Sequence, residues 1–187
     1  MAEPEGLDTN HTRGQDVKAT SAPENDWQRI WISTRQTNWS SLAIIPSDAS
    51  VEVGGVAETL AETGRLYGER PVSLLNAKGT QLENIRQLLD TLNTMTGHGD
   101  WVIVEVDPIA ENPSSVPIIQ ATSAALLVVR LGESLLSSAR SAIEVIGRAQ
   151  FLGSIVLHGQ GPRRRPSLHL AVPALTLILT RLLTTHP

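Results

Sequence analysis

Four carboxylates follow two short apolar segments of the chain, and their type and spacing could support chemistry. Asp48 and Glu52 come after one segment, while Glu105 and Asp107 lie at the end of another. Carboxylates that converge can hold a magnesium ion or share a proton. The alternative is a solvated polar rim at the edge of a sheet. The sequence favours the rim and predicts no metal, with Glu105 and Asp107 as the candidate ligands if one binds.

Other chemistries are restricted by composition. The chain has no cysteine, which excludes disulfides, thiolate zinc sites and a cysteine nucleophile. The five histidines lack the spacing of metal ligands, and no nucleophile elbow is present. A formal net charge of −4 gives no bias towards nucleic acid. Lys78 is a candidate cation for the same cleft as the carboxylates.

The elements that would position these residues alternate between strands and helices. Strands are predicted at 42–46, 71–76, 101–106, 125–129 and 152–157, helices at 53–67, 81–95 and 134–149, and a helical turn at 117–122. The strands are continuous apolar runs, as a parallel sheet covered on both faces requires. Strands separated by helices form βαβ units. The sequence therefore predicts an α/β fold with a doubly wound, mostly parallel sheet in three layers, α/β/α.

Ligands of such sheets bind beyond the carboxyl ends of the strands, which directs attention to the loop after the first strand. This loop runs from Ser47 to Gly55 and enters a helix with a Leu60-Ala61 pair. Further matching segments span 71–78, 100–108, 121–132 and 151–157. In order and spacing, residues 41–159 resemble the bacterial tyrosine kinases of capsule and exopolysaccharide systems and their MinD/ParA relatives. The resemblance implies a P-loop NTPase fold of the MinD/ParA type.

The departures from that family affect its phosphate site. A P-loop needs glycines whose N–H groups wrap the phosphates, a lysine, and a hydroxyl that holds magnesium. By resemblance, Glu52, Val53 and Gly54 occupy the glycine, lysine and hydroxyl positions, and Asn76 and Glu105 replace two aspartates. The resemblance thus implies no catalytic residues, no enzyme activity and no cofactor, with ATP or ADP plus magnesium as the alternative. The degenerate phosphate loop comprises Ser47, Asp48, Glu52, Val53, Gly54 and Gly55.

Tryptophans mark a second candidate surface. Trp27 and Trp31 have helix-like spacing, and Trp39 follows shortly. A short helix that packs on the domain explains them, and a partner-binding motif is the alternative, because tryptophan is a frequent interface anchor. Trp27, Trp31 and Trp39 are therefore the partner-binding candidates, together with the exposed side of the helix at 134–149.

Three segments are predicted along the chain. Residues 1–25 form a disordered or loosely packed tail, because they are polar and almost free of large apolar residues. Residues 26–159 form the P-loop NTPase-like domain. Residues 160–187 form an Arg/Pro linker and an apolar C-terminal helix that either covers the sheet or anchors the protein at a membrane. No secretory signal and no spanning run is apparent, so the predicted location is cytoplasmic, with peripheral attachment to the inner membrane as the alternative.

The resemblance and its departures together suggest a function. The chain is predicted to be an inactive pseudo-kinase or pseudo-ATPase that acts as a scaffold or regulatory subunit. Its partner would be a protein of an inner-membrane system for exopolysaccharide, capsule or cellulose synthesis or export, in a homo- or hetero-oligomer. The alternatives are a MinD/ParA-like localisation factor and a nucleotide-binding protein with a non-standard phosphate loop. Tyr67 is the single tyrosine, so the tyrosine-rich tail of the kinases is missing.

Overall fold

A computed structural model describes residues 22–158 and 169–170 of the 187-residue chain. The strands are β1 (Ser41–Pro46), β2 (Val72–Asn76), β3 (Trp101–Glu105), β4 (Ala124–Leu131), β5 (Phe151–His158) and β6 (His169–Leu170). The helices are α1 (Ala22–Thr34), α2 (Gly54–Tyr67), α3 (Ile85–Gly97), α4 (Ser115–Gln120) and α5 (Leu136–Ile146), with 3₁₀ turns at Leu82–Asn84 and Arg148–Gln150. The five long strands and the helices between them fall where the apolar runs predict them.

The strands form one sheet in the order β2-β3-β1-β4-β5-β6. Strands β1 to β5 are parallel to their neighbours, and β6 pairs antiparallel with β5 at the edge. The predicted fold class, a mostly parallel α/β sheet covered by helices on both faces, is confirmed.

Strand β1 is the centre of the core, and all six of its residues are buried. Side chains alternate between the faces of a strand. Leu42 and Ile44 therefore join the hydrophobic cluster under α1 and α2, whereas Ala43 and Ile45 join the cluster under α3, α4 and α5. Burial of each large aliphatic side chain contributes about 1.5–3 kcal/mol, and this is why the strand sequence is apolar at consecutive positions.

The winding of the chain creates a crevice beyond the carboxyl end of β1. Helix α2, which follows β1, packs on one face of the sheet, while α4 and α5, which follow the neighbouring strands β3 and β4, pack on the other. Because the connections after these adjacent strands go to opposite faces of the sheet, the loops at the carboxyl end of β1 leave space for a ligand. The loop after β1 is thus the place where a ligand site is expected.

Helix α1 is fixed to the domain by an aromatic cluster, defined here as Trp31, Trp39 and Trp101. The ring centroids lie 5.6–6.2 Å apart in edge and tilted contacts. Trp31 and Trp39 are only 3% and 2% exposed, and the half-buried Trp27 packs against the same core. The structure therefore agrees with the packing interpretation for Trp31 and Trp39, and the role of the tryptophans in partner binding stays a prediction.

The ends of the chain differ from the sequence-based segments. Helix α1 begins at Ala22, inside the segment predicted as a tail, and residues 1–21 lie outside the described part. His169–Leu170 form a strand edge-paired with β5, whereas an apolar helix was expected there. The rest of the predicted linker and C-terminal helix lies outside the described residues. Among the helices of the described residues, none is long and apolar enough to cross a membrane.

The contact between α1 and α2 generates a test of the packing. A Cβ at Gly64 would lie 2.6 Å from the Trp31 ring, whereas a Cβ at Gly55, in the same helix, has no atom within 4 Å. Gly64→Ala is expected to lower the free energy of unfolding by about 1–3 kcal/mol, because the ring cannot keep its place. Gly55→Ala is expected to be neutral or to stabilise by up to about 1 kcal/mol. Urea unfolding of both variants measures this, and equal effects would show that α1 does not pack as described.

Candidate functional site

The first part of the loop after β1 is held by its own side chains. The Ser47 amide donates to the Val128 carbonyl at 2.9 Å, and the Ser47 hydroxyl lies within hydrogen-bond distance of Asp48 Oδ2, at 3.0 Å, and of the Ser134 hydroxyl, at 2.9 Å. Asp48 Oδ1 accepts the Ser50 amide at 3.0 Å and also the Ser50 hydroxyl. Partial burial acts to raise the pKa of Asp48, but hydrogen bonds from Ser50 and Ser47 lower it below the usual value. Asp48 therefore organises its own turn.

The second part of the loop turns apolar side chains inward. Val51 and Val53 are 4% and 2% exposed and belong to the hydrophobic cluster under α2. The Val53 carbonyl accepts the Ala57 amide at 2.9 Å, so the residue also begins the hydrogen bonding of α2. Val53, which the sequence resemblance assigned to the lysine position, is thus a core side chain in the structure.

A cation from a different loop reaches the site. Lys78 Nζ lies 2.9 Å from Glu52 Oε1 and 2.9 Å from Glu105 Oε1. Glu52 Oε1 also accepts the Gly54 amide at the start of α2, at 3.3 Å. Because Lys78 follows β2 and Glu105 ends β3, this arrangement, the Lys78 bridge (Glu52, Lys78 and Glu105), joins three loops at the carboxyl edge of the sheet.

The charges of the Lys78 bridge are unequal, with two carboxylates for one ammonium group. Glu105 is only 5% exposed, so its charge depends on a nearby cation, while Glu52 is mostly exposed. A hydrogen bond from Lys78, followed by one from the Gly54 amide, lowers the pKa of Glu52. Hydrogen bonds to Glu52 and Glu105 raise the pKa of Lys78 above its ordinary value of 10.5. Glu52 and Lys78 are therefore both charged at neutral pH.

The loop that carries Lys78 is braced from both sides. Asn76 Oδ1 accepts the Lys78 amide at 2.9 Å. Asp107 Oδ2 accepts the Gly79 amide at 2.7 Å and the Asn112 side-chain amide at 2.9 Å. Gly79 has a φ of +68°, a conformation that suits glycine and turns the chain directly after Lys78. Asn76 and Asp107 thus act as turn residues that aim Lys78, and Asn112 is a contributor that the sequence pattern did not indicate.

The four candidate carboxylates do not form one group. Asp48 is bound to serines, Asp107 to the Gly79 and Asn112 amides, and Glu52 and Glu105 meet only through Lys78. Within residues 22–158 and 169–170, no set of three or more Asp, Glu, His or Cys side chains is placed to hold a metal ion. The common carboxylate cluster considered from the sequence is therefore corrected to three separate arrangements.

A small cleft lies beside the loop, between the chain that follows β3 and helix α5. Its volume is about 320 Å³, and the lining is made of Ser47, Ile109, Ala110, Ser137, Ser138, Ser141 and Ala142. None of these described lining residues is charged. The cleft therefore offers hydroxyl groups but no cation that could neutralise an anionic ligand.

Comparisons with known proteins agree with this fold. The kinase domain of the Escherichia coli tyrosine kinase ETK is similar, with a TM-score of 0.58 at 14% identity over 74% of this chain and 75% of that one. The chimerical protein CapA2B2 is also similar, with a TM-score of 0.59 at 13% identity over 76% and 87% of the two chains. No family model matches the sequence, and no curated protein matches it. At these identities the likeness shows the fold.

The Lys78 bridge predicts a stability effect. Lys78→Met leaves Glu105 buried without its cation and is expected to lower the free energy of unfolding by about 1–3 kcal/mol at pH 7, since Lys78 is itself partly exposed. Adding Glu105→Gln is expected to restore most of that loss. Arg140→Met, which breaks the exposed Arg140–Glu144 pair, is the control and should cost less than about 0.5 kcal/mol. Urea unfolding measures all three, and a Lys78 effect no larger than the control would contradict the bridge.

The same bridge predicts a pH window. The folded pKa of Glu52 is lowered, so its contribution is present above the ordinary value of 4.5 and is lost as pH falls through the folded value. The folded pKa of Lys78 is raised, so its contribution is present below 10.5 and is lost as pH rises through the folded value. The difference in unfolding free energy between wild type and Lys78→Met should thus be flat between about pH 5 and 10 and shrink outside it. A difference that grows in acid would contradict the ion pairing.

Proposed function

We propose that this protein is a catalytically inactive, nucleotide-free domain with the fold of P-loop kinases, and that it acts as a scaffold or regulatory subunit by binding a partner protein. The observation that carries the proposal is the position of Glu52. Its carboxylate accepts both the Gly54 amide at the start of α2 and the Lys78 ammonium group. These are the donor types that a phosphate would need, so an internal carboxylate takes the place of the anion.

Electrostatics supports the absence of nucleotide. Near a protein surface, two unit charges about 4 Å apart interact by about 4 kcal/mol. A phosphate at the start of α2 would gain one such attraction from Lys78 and meet repulsion from both Glu52 and Glu105, which hold that lysine. The buried Val53 adds no charge, and Gly54 adds no hydroxyl for magnesium. The balance disfavours ATP and ADP, with or without magnesium.

The partner half of the proposal rests on the sequence resemblance and on the fold. One structural neighbour is the kinase domain of a bacterial tyrosine kinase, and the resembling family includes the kinases of capsule and exopolysaccharide systems. We therefore place the partner in an inner-membrane system that makes or exports exopolysaccharide, capsule or cellulose. A domain that keeps this fold but has no working phosphate site can act by presenting its surface to a partner protein.

One observation favours a second candidate, a nucleotide-binding protein with a non-standard phosphate loop. Lys78 supplies a cation within the site although the loop itself has none. This function would require Glu52, which is mostly exposed, to move away from Lys78. The third candidate, a localisation factor, depends on residues 160–187, of which the structure describes only the short strand β6.

Titration calorimetry separates the first two candidates. Wild-type protein titrated with ATP or ADP, with and without magnesium, is expected to show no saturable heat, because Glu52 and Glu105 retain Lys78. Circular dichroism before and after the titration confirms that the protein is folded. Saturable, magnesium-dependent heat with wild type would overturn the proposal and favour the second candidate.

A variant tests the specific role of Glu52. Glu52→Ala removes the internal carboxylate and one of the two repulsive charges, so ATP affinity is expected to rise at least about tenfold, which is about 1.4 kcal/mol. Glu58→Gln removes a carboxylate from an exposed position of α2, the helix that follows Glu52, and should leave affinity unchanged. An equal gain in both variants would show that general charge, rather than occupation of the loop, excludes the nucleotide.

A further inference from the structure

A groove away from the Lys78 bridge lies along α1, where the end of α2 and the start of β3 meet it. Its volume is about 620 Å³. The walls include Trp31, Ile32, Arg35, Tyr67, Glu69 and Trp101. Gln28 of α1 donates to the Tyr67 hydroxyl at 2.5 Å, and this bond joins the two helices across the groove.

The groove presents apolar side chains to solvent. Ile32 is 62% exposed and Tyr67 is 52% exposed, whereas Trp31 and Trp101 below them are almost fully buried. Exposed aliphatic and aromatic side chains above a packed aromatic base are typical of the central part of a protein interface. The base is rigid, because the aromatic cluster also fixes α1 to the sheet.

Positive charge borders this apolar surface. The Arg35 guanidinium lies 3.9 Å from the centre of the Trp101 ring and 4.8 Å from that of Trp39, and the Arg70 guanidinium lies 5.8 Å from the Trp101 ring. Burial, and then the charge of Arg70, lower the pKa of Arg35, while Glu69 partly offsets them. Arg35 and Glu69 are the charged residues among the described lining of the groove, and Arg70 lies at its border beside the Trp101 ring. The two guanidinium groups against this one carboxylate leave an excess of positive charge at the groove and its border, in a chain whose net charge is −4.

Unused hydrogen-bond donors occur on the same side. Arg35 makes one hydrogen bond, to the Trp39 carbonyl at 3.0 Å, which leaves most of its donors available. The available guanidinium donors of Arg35 favour an occupant that brings carboxylate or carbonyl oxygens.

We propose that this groove binds an acidic peptide segment of a partner protein, with one apolar side chain seated on Ile32 and Tyr67 and its flanking carboxylates next to Arg35 and Arg70. The inference rests on the proposed scaffold function and names the surface and the partner chemistry for it. Arginine, tyrosine and tryptophan are the residue types that dominate interface energetics, and four residues of the groove lining are of these types. The charge of the groove selects against basic partners.

A random dodecapeptide display library tests this surface on the full-length protein. Selected peptides are expected to be enriched in an aliphatic or aromatic residue flanked by Asp or Glu. The affinity of synthesised peptides is read from intrinsic fluorescence, because three of the chain's four tryptophans form the cluster under the groove. Peptides in which lysine replaces the acidic residues should bind at least about tenfold more weakly.

Matched variants locate the binding. Ile32→Ser is expected to lower the affinity for the selected peptides by about tenfold or more, because an apolar contact is lost. Arg70→Gln is expected to lower it by about two- to fivefold, because Arg70 is an exposed charge at the rim. The controls are Leu82→Ser and Arg86→Gln, which change an exposed leucine in the 3₁₀ turn before α3 and an exposed arginine in the first turn of α3. Both controls should leave the affinity unchanged.

Three results would overturn the inference. The first is a library that yields no binders or no acidic enrichment, and the second is peptide binding that the groove variants leave unchanged. The third is a concentration-dependent dimer of wild type that Ile32→Ser abolishes, because it would assign the groove to a second copy of the chain. None of these results bears on the nucleotide titration. Conversely, magnesium-dependent ATP binding would overturn the proposed function and leave acidic peptide binding as a separate observation.

Discussion

Strand β1 has every residue buried, and this constraint governs the arrangement around it. A strand that faces apolar layers on both sides must be covered by helices on both sides, and its hydrogen bonds must be completed by a strand on each edge. Strands β3 and β4 supply those edges. Helix α2, which follows β1, packs on one face of the sheet, and the helices that follow β3 and β4 pack on the other. The loop from Ser47 to Val53 therefore lies at the carboxyl edge of the sheet, beside the loops that carry Lys78 and Asp107.

Whether that edge can bind a phosphate depends on which groups pair with Lys78. A phosphate site needs cations and amides that are free to accept an anion. Here the ammonium group of Lys78 is held between Glu52 and the buried Glu105, and the first amide of α2 is directed at Glu52. Because Lys78 and the Gly54 amide are already paired with carboxylates of the chain, we expect them not to bind an external anion.

The periodicity of apolar residues was enough to predict the sheet and its covering helices, because continuous runs such as Leu42–Ile45 require a fully covered strand. The site could be anticipated only in part. Residues on the loop after β1 were placed correctly at the carboxyl edge, but the inward turn of Val53 and the bridge from Lys78 depend on contacts between loops far apart in sequence. Trp31 and Trp39 are packed in the core, where Gly64 leaves room for the Trp31 ring, so Trp31 can serve a partner surface only as the base beneath exposed side chains. Tryptophan spacing alone does not distinguish a buried anchor from an exposed one.

The central claim is that the start of α2 is closed to phosphate by Glu52. The most direct measurement is a titration of isotopically labelled protein with magnesium ATP, followed through the backbone amide resonances of Gly54 and Gly55 and the side-chain resonances of Lys78. The account predicts that these resonances keep their positions up to millimolar nucleotide. Saturable shifts of the Gly54 and Gly55 amides together with Lys78 would show that the loop still accepts a phosphate, and would contradict it.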